Sequence, residues 1–403
     1  MSATRIAAPG ARGQDSQLRV IPEAPRPGIE PYRLMFPLGI LAAAAGSAIW
    51  PATWISLLPY PGQLHRELMM PGFEQCFVTG FLLTAMPAFT LGPKCTRIEL
   101  AFAAAFALVT LGAALFGAPP AVAAGQLASL LLLVAALARR VLHSRQLPPE
   151  EFAFVGFGLV AGITGVLLQL AGLLNTGPEL PARFAERLVS LGMVLSLVTG
   201  LGSLLVPTFA GMPRPLNLAH IAGAHERRGR RSFYLVLVGG LAGSFVADAL
   251  RIGWAGPLMR AAAVSVMLVA GWKIHHRPGH PTLHAHALWL SGWAILVGLW
   301  LTALLPAYEL AGLHVVFIGG YALLTVAIAT RVSVSHGRHP LAIEPHVLSR
   351  AVVVLLGTAL VLRVAAELDL AHRPVWLGLS GWAALVMWSV WGSRVVRLLV
   401  AKS

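Results

Sequence analysis

The chain predicts an all-α, polytopic integral membrane bundle of about twelve transmembrane helices with both termini cytoplasmic, and three observations carry that reading. Of its 403 residues, 57% are hydrophobic and 11% charged, whereas soluble globular chains carry about 45–50% and about 25%. The apolar residues fall in runs of the length a hydrocarbon core demands, about 20 residues per helix. The cations are unevenly divided between alternate loops. This composition excludes a cytosolic enzyme and a disordered protein.

Residues 1–33 hold five Arg and five Pro but no apolar core of signal-peptide length. They read as a basic, disordered cytoplasmic tail that is not a targeting sequence. A single transmembrane domain over 34–398 follows, and 399–403 form a short cytoplasmic end. Cuts at charged, Pro-rich and Gly-rich breaks then give the spans in order. The first, 34–55, starts after Arg33, and the second, 73–92, lies between Pro71-Gly72 and Gly92-Pro93. Spans 98–117 and 119–138 are split only at Gly117 to Pro120, and Arg139-Arg140 close the second of them. The acidic pair Glu150-Glu151 precedes 152–174, and 187–209 ends before Gly211. Spans 232–250 and 257–274 are parted near Arg251. The last four are 285–305, 311–331, 347–367 and 375–396.

With the tail inside, 23 of the 30 Lys and Arg fall on the cytoplasmic side and seven on the other. That bias sets the orientation. It also turns the net charge of +14 into a topology signal facing an anionic leaflet, so no nucleic-acid partner is implied. Trp50 and Trp54, at the outer end of the first span, and Trp272, at the inner end of the eighth, fit interfacial anchors. Arg363 and Glu367 form an i,i+4 pair. Cys76 reads as a small buried residue and Cys95 as a cytoplasmic thiol; two cysteines make no disulfide framework. Glu74, Asp248, Glu367 and Asp369 read as lying near outer ends, leaving no ionisable group evident at mid-membrane. LSGWA occurs at 290–294 and 379–383, and Pro-x-Phe closes both the second span (Pro87, Phe89) and the sixth (Pro207, Phe209). A duplicated architecture is conceivable from these, although short matches of this kind arise by chance.

Histidines and methionines carry the chemistry. Only His65, His314 and His372 of the fourteen histidines lie outside. In QLHRELMMPGF (63–73), His65 and Met69 share a helical face, and Glu67 and Met70 share a neighbouring one. Imidazole with thioether suits Cu(I) or an axial haem position. Pro71 disfavours helix at Met70, which predicts a short surface turn before the second span. The plainer reading of this segment is an interfacial loop, and His314, opening the tenth span, reads on its own as a structural residue. On the inner side His284, His286, His336 and His339 cluster, although two residues of an HxH cannot share one helical face. There is no P-loop, dinucleotide GxGxxG, HExxH or CxxCH. ATP-driven transport and covalent haem are therefore not expected.

These segments resemble one family. YRLMFPLGILAA (Tyr32–Ala43) is similar to the FRPFFLLAALF opening of NnrS proteins, and Leu64–Gly92 to their WHAHEMLFGF…AGFLLTAVPNWTG block. LHAHALWLSGWA (Leu283–Ala294) resembles their LHLGYAWL block. The most specific likeness is Leu313–Leu341 to LHALTVGAIGxMxLAVMTRVSLGHTGRPL. The resemblance implies a multi-pass protein of the bacterial inner membrane that binds haem, here non-covalent and b-type, and copper. It also implies a role in nitric oxide stress or denitrification through gas binding or redox chemistry at a buried haem. The motif residues carry over to His65, His286, His314, His336 and Arg331. The pairs His65–His314 and His286–His336 are thus alternative haem sites, with Arg331 available to a propionate, and His65, Glu67, Met69 and Met70 form the copper set. Glu67 stands where the family has a second histidine, and Leu68 where it has a glutamate. Besides the lipid bilayer, the implied partners are haem, copper, nitric oxide and a membrane redox partner or a second copy of the chain. No catalytic activity is assigned. The rival functions are a membrane transporter or metal exporter and a divergent assembly subunit without metal.

Overall fold

A computed structural model describes residues 30–144, 147–177, 180–181, 183–213 and 224–400. The predicted tail up to residue 29, the loop cations Arg145 and Arg214, and Lys402 lie outside the described residues. Twelve helical rods follow one another: α1 (Tyr32–Trp54), α2 (62–90), α3 (Arg97–Leu115), α4 (Pro119–Leu142), α5 (Phe152–Leu173), α6 (Phe184–Ala210), α7 (Ala224–Ala249), α8 (Ala255–Gly271), α9 (Leu283–Leu304), α10 (Pro306–His336), α11 (Arg350–Leu368) and α12 (Arg373–Val400). Among the described residues ten helices are long and apolar enough to cross a membrane. The polar start of α2 and the shortness of α8 set those two apart, and together they complete the expected twelve.

Local chemistry explains the boundaries. Thr96 caps α3: its hydroxyl accepts from Glu99 N at 3.1 Å while the Glu99 carboxylate accepts from Thr96 N at 2.8 Å, a capping box. Pro119 and Pro120 open α4, where a missing N–H costs nothing. The Thr282 hydroxyl accepts from Ala285 N to start α9. Neighbouring helices pack as antiparallel pairs, and α12 returns to pack along α1. There the Arg33 guanidinium donates to the Leu399 carbonyl at 2.8 Å, so both ends of the described chain meet at one end of the bundle.

The second rod of each successive four carries a long π turn, and a shorter one closes α8 at Met267–Gly271. In α2, α6 and α10 the α-helix widens into π-helix at Leu68–Glu74, Leu188–Val194 and Val315–Ala322. A left-handed residue follows each of the three within two positions (Leu91, Gly211 and Arg338), as it does α1, α3, α5, α7 and α8. In each π segment one glycine lies against an alanine of the preceding rod. A Cβ on Gly72 would stand 3.0 Å from Ala42 Cβ, one on Gly192 2.9 Å from Ala161 Cβ, and one on Gly319 2.9 Å from Ala294 Cβ. The long π turn and its glycine–alanine contact thus recur at a four-rod spacing, dividing the bundle into three units of four rods. Within it, Pro87 and Pro207 occupy equivalent places near the ends of α2 and α6. The two LSGWA segments lie on α9 and α12, the first and fourth rods of one unit, so that match is coincidental. Gly192→Val is expected to overpack the α5–α6 contact and to cost about 1–3 kcal/mol, read as a lower melting temperature in detergent.

Two expectations are corrected. No surface turn precedes α2; helix runs unbroken from 62 to 90 with Pro71 inside the π turn. The wider turn relieves the clash a proline ring makes in an α-helix and tolerates its missing N–H. Trp272 is no interfacial anchor. It is fully buried and donates to the Thr199 carbonyl at 2.9 Å. In the same way Trp391 of α12 donates to the Thr330 hydroxyl of α10 at 2.9 Å, so the fourth rod of each of the last two units is tied to its second.

Candidate functional site

The rods α2, α6 and α10 converge, and beside them, in the outer half of the bundle, lies a cavity of about 270 Å³. Its walls come from α1, α2, α6, α10, α11 and α12 and are mostly apolar, with Phe73, Phe317, Leu356 and Trp388 among them. His65 enters from α2 and His314 from α10. Met69 and Met70 also line it. Glu67, the remaining member of the expected copper set, does not; it accepts a hydrogen bond from Gln63 Nε2 at 3.0 Å.

Both imidazoles are oriented by backbone. His314 Nδ1 donates to the Leu310 carbonyl one turn back at 2.8 Å, which leaves Nε2 as a lone pair. His65 Nδ1 lies 2.9 Å from the Gly46 carbonyl and 3.1 Å from Trp50 Nε1. The carbonyl requires a donor and the indole an acceptor, so Nδ1 satisfies one of them at a time. The tautomer that donates to Gly46 presents Nε2 as a lone pair, matching His314. Gly46 also leaves room for the neighbouring thioether, because a Cβ there would stand 3.0 Å from Met69 Sδ. Among the described residues, no three or more His, Cys, Asp and Glu come together as a metal cluster; the imidazole and thioether donors at the cavity are His65, His314, Met69 and Met70.

The mouth is charged. Arg66 pairs with Glu186 at 3.3 Å and Arg187 with Glu309 at 2.7 Å, which links the outer ends of α2, α6 and α10 in a chain. Arg363 pairs with Glu367 at 2.6 Å, the expected i,i+4 contact, yet its buried Nε–H has no acceptor. Arg183 also lines the mouth, and among the described residues no ion pair engages it. Nearby, the exposed Asp369 carboxyl is held below its ordinary range by hydrogen bonds from Trp376 and His372. Arg183 and the Arg363 Nε–H thus leave donors free for an anionic group here.

The inner-side residues are placed differently. Arg331 makes a bidentate pair with Glu344, at 2.6 and 2.9 Å, and lies over the Phe209 ring. His286 is exposed, with Nδ1 on the Thr282 carbonyl at 2.8 Å. His336 stands 3.5 Å from Glu30 and edge-on to Tyr32; its hydrogen bond holds the Glu30 carboxyl below the ordinary range. The buried histidine of this region is His284, whose Nε2 lies 3.1 Å from the Ala327 carbonyl and whose Nδ1 lies 3.4 Å from Arg331. Periodicity could have singled it out: His284, Leu288, Ser291 and Ile295 form one buried stripe. His286 falls off that stripe.

Cys95 joins α2 to α3 at the inner end. Burial first, and then the neighbouring Glu99 charge, push its thiol up to about 11. Alkylation at neutral pH is expected to run about a hundredfold slower than for a free thiol and to keep accelerating up to about pH 11, as maleimide kinetics in detergent will show.

Residues 29–403 match the family model described as NnrS protein. No curated protein matches the chain.

Proposed function

This chain belongs to the NnrS family, and from that membership we propose that it is a haem-binding, copper-associated protein of the bacterial inner membrane that handles nitric oxide in its outer cavity. The observation that supports this most is the pair His65 and His314. They reach one apolar cavity from two different rods, and each has a backbone carbonyl within reach of Nδ1. Neutral imidazole with a free Nε2 is the ligand form. The donor set fits haem: two such nitrogens, an apolar slot, and Arg183 with Arg363 as partners for carboxylates. Bound haem would supply an iron for gas binding or electron transfer. The chain's own part is to fix both rings, exclude water with the aromatic and aliphatic walls, and neutralise the propionates at the mouth. For copper, the Met69 and Met70 thioethers are soft donors suited to Cu(I), and His65, with one free nitrogen, would join them only in place of serving haem.

The test is the detergent-purified protein, read by visible absorption, pyridine haemochrome and metal analysis. A Soret band with extractable b-type haem is the expected result. A colourless protein that retains copper supports metal transport instead, and a protein with neither supports an assembly role.

A further inference from the structure

Beneath the histidines, the cavity floor holds Glu74. The sequence reading put this residue near an outer end and found no ionisable group at mid-membrane. Because α2 starts at residue 62, Glu74 instead falls close to the middle of the rod, at the end of its π turn. Its residue surface is 3% exposed. It also lines a second, smaller cavity of about 80 Å³ on the inner side, walled by Phe77, Phe81, Leu201 and Ile328. Glu74 is thus the boundary between the two spaces.

Its surroundings set it apart from the other acids at the outer cavity. Glu186 and Glu309 each have an arginine. Among the described residues, no hydrogen bond or ion pair reaches the Glu74 carboxyl. The ionisable side chain within electrostatic reach from α10 is Tyr321, and its hydroxyl is already donated to the Ser190 carbonyl of α6 at 3.1 Å. Toward the mouth stand His65 and His314, then the arginine pairs. Toward the inner side, the small cavity offers no titratable group other than Glu74 itself. An ionised carboxylate without a donor or counter-charge is costly in such surroundings, and intramembrane acids of this kind act by exchanging protons.

The geometry points to Glu74 as the proton-exchange site of the outer cavity, taking up and releasing one proton toward the outer side only. As the acid, its carboxyl O–H gives its proton to a basic atom of the cavity's occupant or to water and becomes a carboxylate. A proton entering by the mouth restores the acid. The inner cavity, apolar and without a relay, closes the other route. This inference does not depend on haem being the occupant.

The probe is dicyclohexylcarbodiimide, an apolar reagent that adds to protonated buried carboxyls, applied to the full chain in native membrane vesicles and read by peptide mass spectrometry. Labelling of Glu74 is expected at low pH, falling about tenfold per pH unit above its midpoint, as for one proton. Glu186 and Glu309 should be labelled at least tenfold less, and Glu74→Gln should abolish the principal adduct. In right-side-out and inverted vesicles with a pH step imposed, labelling should follow the outer pH. Failure of Glu74 to label at any pH, labelling independent of pH, or a response to the inner pH overturns the proposal. The wild-type peptide carries all three readouts, so they stand even if the variant fails to accumulate.

Discussion

His314→Ala is expected to purify with at least about tenfold less haem per protein than wild type, and His65→Ala to behave the same way, because each removes one of only two imidazole nitrogens at the cavity. Folding should survive both changes. The His314 side chain makes one backbone hydrogen bond, to Leu310 within its own helix, and His65 contacts Gly46 and Trp50 at the cavity rim. Haemochrome content against an unchanged gel-filtration profile separates ligand loss from unfolding. His314→Met, which supplies a thioether in place of the imidazole, should restore much of the haem. His286→Ala should not change it, since that ring is exposed on the inner surface. A loss in His286→Ala equal to that in His314→Ala would move the site to the inner side.

Glu99→Ala carries the largest expected cost in stability. Glu99 closes the capping box of α3 and accepts from both Arg139 and Arg140. Arg140 is fully buried, its side chain 0% exposed against 13% for Glu99. Removing the carboxylate strands a buried guanidinium, which costs about 3–5 kcal/mol, and the lost cap adds to that. Equilibrium unfolding in detergent measures it. Glu186→Ala is the matched control, because Arg66 and Glu186 are 50% and 39% exposed, and a surface pair contributes at most about 1 kcal/mol. Equal losses in the two variants would contradict this account of the inner end.

Much of this architecture was legible in the sequence because its signals are local. Run length, the doubled prolines before α4 and the bias of cations all act within a few residues, and so does the Arg363–Glu367 spacing. The parts that were not legible depend on geometry between rods. The π turn that carries α2 through Pro71 is stabilised by packing against α1 and α6, and nothing in LMMPGFE announces it. The same turn moves Glu74 from the edge of an expected span to the middle of an observed rod. Trp272 has the composition of an anchor and the position of a core residue. The four-rod recurrence left only single glycines, Gly72, Gly192 and Gly319, in the sequence, too sparse to align without coordinates. Of the site residues, His65, Met69, Met70 and His314 do meet at one cavity. Glu67 turns to Gln63, and Arg331 is held by Glu344, a partner thirteen residues away that no local pattern links to it.

On the proposed function, His65 and His314 would together hold one haem iron. Near-infrared magnetic circular dichroism of the oxidised protein tests it most directly, because the charge-transfer band distinguishes a bis-imidazole haem from an imidazole–thioether one. The account predicts the bis-imidazole band in wild type and a shift to the imidazole–thioether position in His314→Met. A wild-type protein without haem, or a band that stays in place in His314→Met, would contradict it.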